Sequence, residues 1–236
     1  MLKIDLDTVN KGQAPPLPEY EYDLGPKRFG PGSSTDITLP AEFSNQQDYK
    51  LIIKALKTIS GLAYELKIPI ALVGGFALKI LGYGERQTKD LDIVTTEYGV
   101  EAITALVKEH HDRYCKKDRY EKVIGGLIEG PDGGSPLQYL TDEGKVRIDI
   151  DIMSLRRQWK ARTTTEGILD QSVDVFDHQN YRVTKCATAS DIYELKFAAS
   201  NDSTRKQKSD LSDIIWLRKN RSKDLSEVQK SEAIPM

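Results

Sequence analysis

The chain has 236 residues, 30% of them charged and 39% apolar, with a formal net charge of −2. That length can bury a real core as one domain or one domain with a small appendage, and the near-neutral balance argues against the basic footprint of non-specific nucleic-acid binding. No stretch is long and uncharged enough to span a bilayer, the start MLKIDLDTVN has no apolar signal core, and Cys115 and Cys186 fit neither zinc-ligand spacing nor a disulfide framework, so a cytoplasmic or nuclear protein with free thiols and no membrane or disulfide partner is expected.

Residues 1–43 are rich in Pro and Gly and lack sustained periodicity, which predicts an irregular arm with Tyr20, Tyr22 and Phe29 as candidate anchors. Ser44 followed by Gln47 is a capping-box pattern, and Ile52, Leu56, Ile59 and Ala63 recur at helical spacing, so a first helix is expected to about Leu66. PIALV, ending at Val73, reads as a buried strand. A glycine pair follows, and FALKIL fits a short helix ended by Gly82. Thr88 to Val94 predicts a second strand and Val100 to Tyr114 an amphipathic helix. KVIGGLIE, PLQYL and KVRIDIDIM are three strand candidates separated by the turn signals GPDGGS and TDEG. SVDVF and YRVTKC suggest another hairpin, and Asp191 to Ser200 and Ser209 to Lys219 suggest helices. The tail from Asn220 is polar, and fraying is expected. The order predicts an α/β or α+β domain, a mixed sheet flanked by helices, with a helical C-terminal part.

The chemistry concentrates in ALVGGFALKILGYGERQTKDLDIV. Alternation along a strand puts Asp90 and Asp92 on one face and Leu91 and Ile93 on the other. Two carboxylates held together repel unless a cation lies between them, and a hard divalent ion such as Mg²⁺ suits oxygen ligands, with substrate phosphates completing its shell. VRIDIDIM repeats the device, with Asp149 and Asp151 on one face. If that strand lies beside the first, a third carboxylate joins the pair. Three carboxylates around two metals about 4 Å apart is an arrangement that clamps the attacking and leaving oxygens of phosphoryl transfer. Gly74 and Gly75, between strand and helix, let a backbone approach an anion closely. There is no GK[ST] of a P-loop, and GYGERQ lacks the third glycine of a dinucleotide fingerprint.

GGFALKILGYGERQTKDLDIV resembles the polymerase-β-like nucleotidyltransferase superfamily, in which a strand, Gly-Gly or Gly-Ser and a short helix precede an aspartate pair on the next strand. The GGxAL…LG…R.T.DLD form is most similar to the abortive-infection toxin type (AbiEii/AbiGii-like). The likeness continues more loosely at RIDIDIMS and at ASDIYELKFAASNDSTRKQKSDLSDIIWL. The resemblance implies that Gly74 and Gly75 hold the triphosphate of an NTP and that Asp90 and Asp92 bind Mg²⁺ or Mn²⁺. Asp151 matches the third acidic position, with Asp149 an alternative on the same face. Arg86 and Thr88 match the loop that supports or contacts phosphate. Lys196 matches a helix lysine that approaches the triphosphate, and Asp210 and Asp213 match the acidic pair after it. The chain order divides into the arm over 1–43, a domain over 44–186 that the resemblance implies is catalytic, a helical part over 187–219 and a polar tail over 220–236.

The implied function is transfer of a nucleoside monophosphate from an NTP to a hydroxyl acceptor, namely tRNA or other RNA, a protein or a small molecule, with release of pyrophosphate. A catalytically silent nucleotide-sensing module of the same fold is the alternative. A DxD glycosyltransferase fits less well, since few strands precede Asp90. The cationic run RRQWKAR, Arg156 to Arg162, carries Trp159 and suits an RNA substrate or a solvated loop equally. His110, His111 and His178 have no evident nucleophile or metal partner.

Overall fold

The computed structural model describes residues 36–40, 43, 47–114, 126–131, 136–140, 147–155, 161–179, 181–201 and 208–234. Tyr20, Tyr22, Phe29, Ser44, Cys115, the side chains of His110 and His111, most of GPDGGS, all of TDEG and residues 156–160 of the cationic run lie outside them.

The first helix, α1 (Gln47–Glu65), buries Ile52, Ala55, Leu56, Ile59, Leu62 and Ala63 along one face, the three-and-four spacing of a core-facing helix. Just past its end, Lys67 takes a left-handed φ of 56° while the Ile68 N–H donates to the Ala63 carbonyl at 2.8 Å. That reversal feeds β2 (Ile70–Val73), buried along its whole length. The next helix, α2 (Gly74–Ile80), starts on the glycine pair itself rather than after it. Then come β3 (Asp90–Thr95) and α3 (Glu97–Tyr114). The three strand candidates form an antiparallel meander of β4 (Leu127–Glu129), β5 (Leu137–Leu140) and β6 (Arg147–Met153). An unanticipated short helix, α4 (Thr165–Gln171), is capped by Thr164, whose hydroxyl accepts the Gly167 N–H at 3.0 Å. The hairpin of β7 (Val173–Phe176) and β8 (Arg182–Cys186) follows, then α5 (Ala189–Ser200) and α6 (Lys208–Asn220).

Two segments depart from expectation. The end of the arm carries β1 (Ile37–Thr38), parallel to β7, and buries Leu39 and Phe43, the latter against Tyr49 and Phe76. The tail is not frayed through its described length. It makes a 3-10 turn at Ser222–Asp224 and a helix, α7 (Glu227–Ser231), started by a Ser226–Gln229 capping box. Gln229 is buried and donates to Glu194 and to Ser190, while Glu232 receives Arg162 and its carbonyl receives Arg218.

The eight strands form one mixed sheet in the order β1-β7-β8-β2-β3-β6-β5-β4. Its centre sets β2 antiparallel to β3 and β3 parallel to β6. One apolar cluster runs from Leu39 to Leu225 and includes residues of α1, α3, α5 and α6. No helix among the described residues is long and apolar enough to cross a membrane. Cys186 is a buried free thiol, pushed up to about 12 by burial.

Candidate active site

The parallel register of β3 and β6 sets Asp90 opposite Asp149 and Asp92 opposite Asp151. Side-chain alternation therefore puts four carboxylates on one face of the sheet, and Leu91, Ile93, Ile148, Ile150 and Ile152 are buried. Asp90 and Asp149 are exposed, while Asp92 and Asp151 are half-buried. The four have different neighbours. Asp149 accepts a 2.7 Å hydrogen bond from Nε2 of Gln138, its cross-strand partner on β5. Asp90 accepts one from the Thr88 hydroxyl at 2.5 Å, and Asp92 accepts the Gly75 N–H.

Asp92 is the electrostatic centre. Burial first, then the charges of Asp90 and Asp151, push its carboxyl up to about 6, against the opposing pull of Lys196 and the Gly75 N–H. A half-buried carboxylate with two like charges beside it is a donor set that a hard divalent cation relieves, so Asp90, Asp92 and Asp151 fit such an ion. Among the described residues no group of three or more His, Cys, Asp or Glu side chains already converges into an ion cage.

The glycines are shaped by these neighbours. Gly74 has φ +66°, and a Cβ there would lie 1.8 Å from Oδ2 of Asp92. A Cβ on Gly75 would lie 2.9 Å from the Thr88 hydroxyl oxygen and 3.5 Å from Nη2 of Arg86. The sequence pattern associates the pair with a triphosphate; the fold adds that Asp92 and Thr88 leave no room for a side chain at either position.

Opposite the carboxylates, α5 supplies Lys196. Its Nζ lies 2.9 Å from both Asp210 Oδ1 and Asp213 Oδ2, and Asp213 Oδ1 lies 2.9 Å from Nε of Arg86. Burial works against the Lys196 charge, but Asp213 and Asp210 outweigh it and hold the ammonium above its ordinary range. Asp213, with a side chain only 1% exposed, joins the α2–β3 loop to α5 through two ion pairs. All eleven residues singled out in the sequence fall on this one side of the fold, in two groups: the carboxylate row with its glycines and Thr88, and the Arg86–Asp213–Lys196–Asp210 chain. Lys196 links the groups through its effect on Asp92. Gln138 was not singled out; its signal is one polar residue in the apolar run PLQYL.

The family described as "Nucleotidyl transferase AbiEii toxin, Type IV TA system" matches residues 54–234. The chain belongs to this family. The AbiEii match spans every element that carries a site residue. No curated protein matches significantly. Among solved structures, the chain is similar to an antigenic nucleotidyltransferase-like protein from Paracoccidioides brasiliensis, with 18% identity, 72% of this chain and 76% of that one covered, and a TM-score of 0.47. It is also similar to ANT(2″)-Ia, seen in complex with adenylyl-2″-tobramycin, with 15% identity, 76% and 95% covered, and a TM-score of 0.39. Membership of the AbiEii family supports nucleotidyl transfer as the general chemistry.

Proposed function

We propose that the protein moves a nucleoside monophosphate from an NTP to a hydroxyl acceptor, which is an RNA such as tRNA, a protein side chain or a small molecule, and releases pyrophosphate. The observation that carries this reading is the β3–β6 register, which brings Asp151 beside Asp92 and Asp90. These three carboxylates would hold Mg²⁺ or Mn²⁺, with Asp149, engaged by Gln138, as the alternative third ligand. The ion, when bound, supplies charge neutralisation at the triphosphate and at the oxygens that gain charge in the reaction.

The chain's own groups do the rest. Gly74 and Gly75 let the triphosphate approach the main chain without a side chain in the way. Lys196 binds the phosphates that leave, and Asp210, Asp213 and Arg86 orient it. Thr88 keeps Asp90 turned along the strand. The acceptor oxygen attacks the α-phosphorus as the bond to the α–β bridging oxygen breaks, and the acceptor proton passes to Asp151. The protein's contribution is mainly positioning and fixed charge.

The test is incubation with Mg²⁺ and each α-labelled NTP in turn, with total RNA, purified tRNA, or neither, beside an Asp90→Asn, Asp92→Asn double variant. Label transferred by the wild type alone supports the reading and names base and acceptor. NTP binding without transfer to any acceptor moves the reading to a nucleotide-sensing module, and no metal-dependent NTP binding removes it.

A further inference from the structure

Lys79, on α2, is only 5% exposed. An ammonium at that depth ordinarily faces a carboxylate, because an unpaired buried charge is strongly disfavoured. Among the described residues Lys79 faces none within ion-pair distance. Its Nζ donates to the main-chain carbonyls of Gly84 at 2.5 Å and Arg86 at 3.2 Å, and lies 4.8 Å from the centre of the Tyr49 ring, within cation–π range.

Both carbonyls belong to the loop that leads from α2 to β3. The loop has turn hydrogen bonds of its own, from the Tyr83 N–H to Leu78, the Gly84 N–H to Gly82 and the Arg86 N–H to Tyr83, and Tyr83 stacks on Trp216. Lys79 adds side-chain bonds to two of its carbonyls, at Gly84 and Arg86, where Gly82 has φ +107° and neither Gly82 nor Gly84 has a heavy atom near where a Cβ would stand. From the loop, Arg86 reaches Asp213 and comes close to Gly75, and Thr88 reaches Asp90. Core filling does not call for a lysine here, since an apolar chain of the same length fills the space without burying a charge.

We infer that Lys79 is a positioning residue for the nucleotide side of the site: by capturing the carbonyls of Gly84 and Arg86 it fixes the loop that delivers Arg86 to Asp213 and Thr88 to Asp90. The inference rests on the transferase reading for its functional consequence, and on the hydrogen bonds alone for its structural one.

The experiment compares wild type, Lys79→Met and Lys79→Arg. Amide hydrogen exchange over residues 82–88 reads the loop directly, calorimetric titration of an NTP with Mg²⁺ and no acceptor reads the cradle, and thermal melting checks the fold. Lys79→Met is expected to speed exchange over 82–88 and weaken NTP binding by about tenfold, the loss of a charged hydrogen bond. Its melting temperature stays unchanged or rises, the KM of any acceptor stays put, and Lys79→Arg recovers part of the NTP affinity. Unchanged exchange and NTP affinity in Lys79→Met overturn the inference. So does weakening that appears only with a matching fall in melting temperature, which is the mark of a merely structural role. A wild type that binds no NTP removes the transferase reading and the functional half of this one, while exchange over 82–88 still decides whether Lys79 fixes the loop.

Discussion

Gly74 and Asp92 occupy each other's space: Oδ2 of Asp92 lies 1.8 Å from where a Cβ on residue 74 would stand, and its Cγ lies 2.5 Å away. The glycine is required twice over, once by its φ of +66° and once by the carboxylate. Gly74→Ala should lower stability by about 1–2 kcal/mol from backbone strain alone, with a further loss from displacing Asp92. The second part is measurable as coupling. In an Asp92→Ala background, which removes the two nearest atoms, Gly74→Ala should be milder by about 1 kcal/mol. Additive effects in denaturant titrations would show that the close approach carries no energy.

Without a cation, the carboxylate row should carry electrostatic strain. The Asp92 pKa is raised, from 3.8 to about 6, so the folded state binds this proton more tightly than the unfolded state. The sign follows: the group's contribution falls as pH rises from about 4 through 6, and above that window its ionised form opposes folding by about 1–3 kcal/mol. In EDTA at pH 8, Asp92→Asn should therefore melt higher than the wild type, and the gap should shrink at pH 5. Mg²⁺ should raise the wild-type melting temperature and leave the variant's alone. A variant that melts lower than wild type in EDTA at pH 8 contradicts this electrostatic picture.

Asp213 and Asp210 should differ sharply. Asp213 is almost fully buried and serves two cations, Lys196 and Arg86, whereas Asp210, with a side chain 11% exposed, serves one. Removing the shared partner leaves a buried ammonium short of its counter-charge, so Asp213→Ala should lose about 3–5 kcal/mol. Asp210→Ala should lose about 1–3 kcal/mol, the worth of one charged hydrogen bond. Equal losses in urea titrations would mean that the double bridge adds nothing.

Asp177 sets an acid limit far from the site. Its burial raises the pKa, but Lys57, with Nζ at 2.8 Å, and the Tyr181 and Gln179 N–H groups outweigh that and hold it below the ordinary carboxylate range. A depressed carboxyl stabilises above its unfolded pKa and loses that contribution as pH falls through the folded value. Asp177→Asn should therefore cost little more than about 1 kcal/mol at pH 7, since Lys57 is well exposed, and should flatten the stability profile below pH 4. An unaltered acid slope in the variant would assign that slope to other carboxylates.

Much of this arrangement is legible in the sequence alone. The β2–α2–β3 unit announces itself because a buried strand must be apolar and a carboxylate pair inside one has few other reasons to exist. Alternation put Asp149 and Asp151 on one face but left them equivalent, because the difference between them arises on a third strand, where Gln138 engages Asp149. The tail illustrates composition misleading: it is polar, yet its Ser226–Gln229 capping box was present in the sequence, and Gln229 is buried on a partner, Glu194, that lies 35 residues earlier. α4 was missed because a seven-residue helix offers too few turns for periodicity. Lys79 is hidden for a plainer reason: a lysine is usually at the surface, and although α2 is buried on every side, nothing local says that this side chain turns toward its own loop.

The β3–β6 pairing also orders events in time. A chain emerging from synthesis has Asp90 and Asp92 early, but β6 ends at Met153, and Lys196 and Asp213 come later still. Parallel neighbours so distant along the chain form late, because loop closure precedes any reward from the contact. A chain folded only through β3 therefore holds two of the candidate carboxylates, Asp90 and Asp92, and none of the cationic support that α5 brings to them through Lys196.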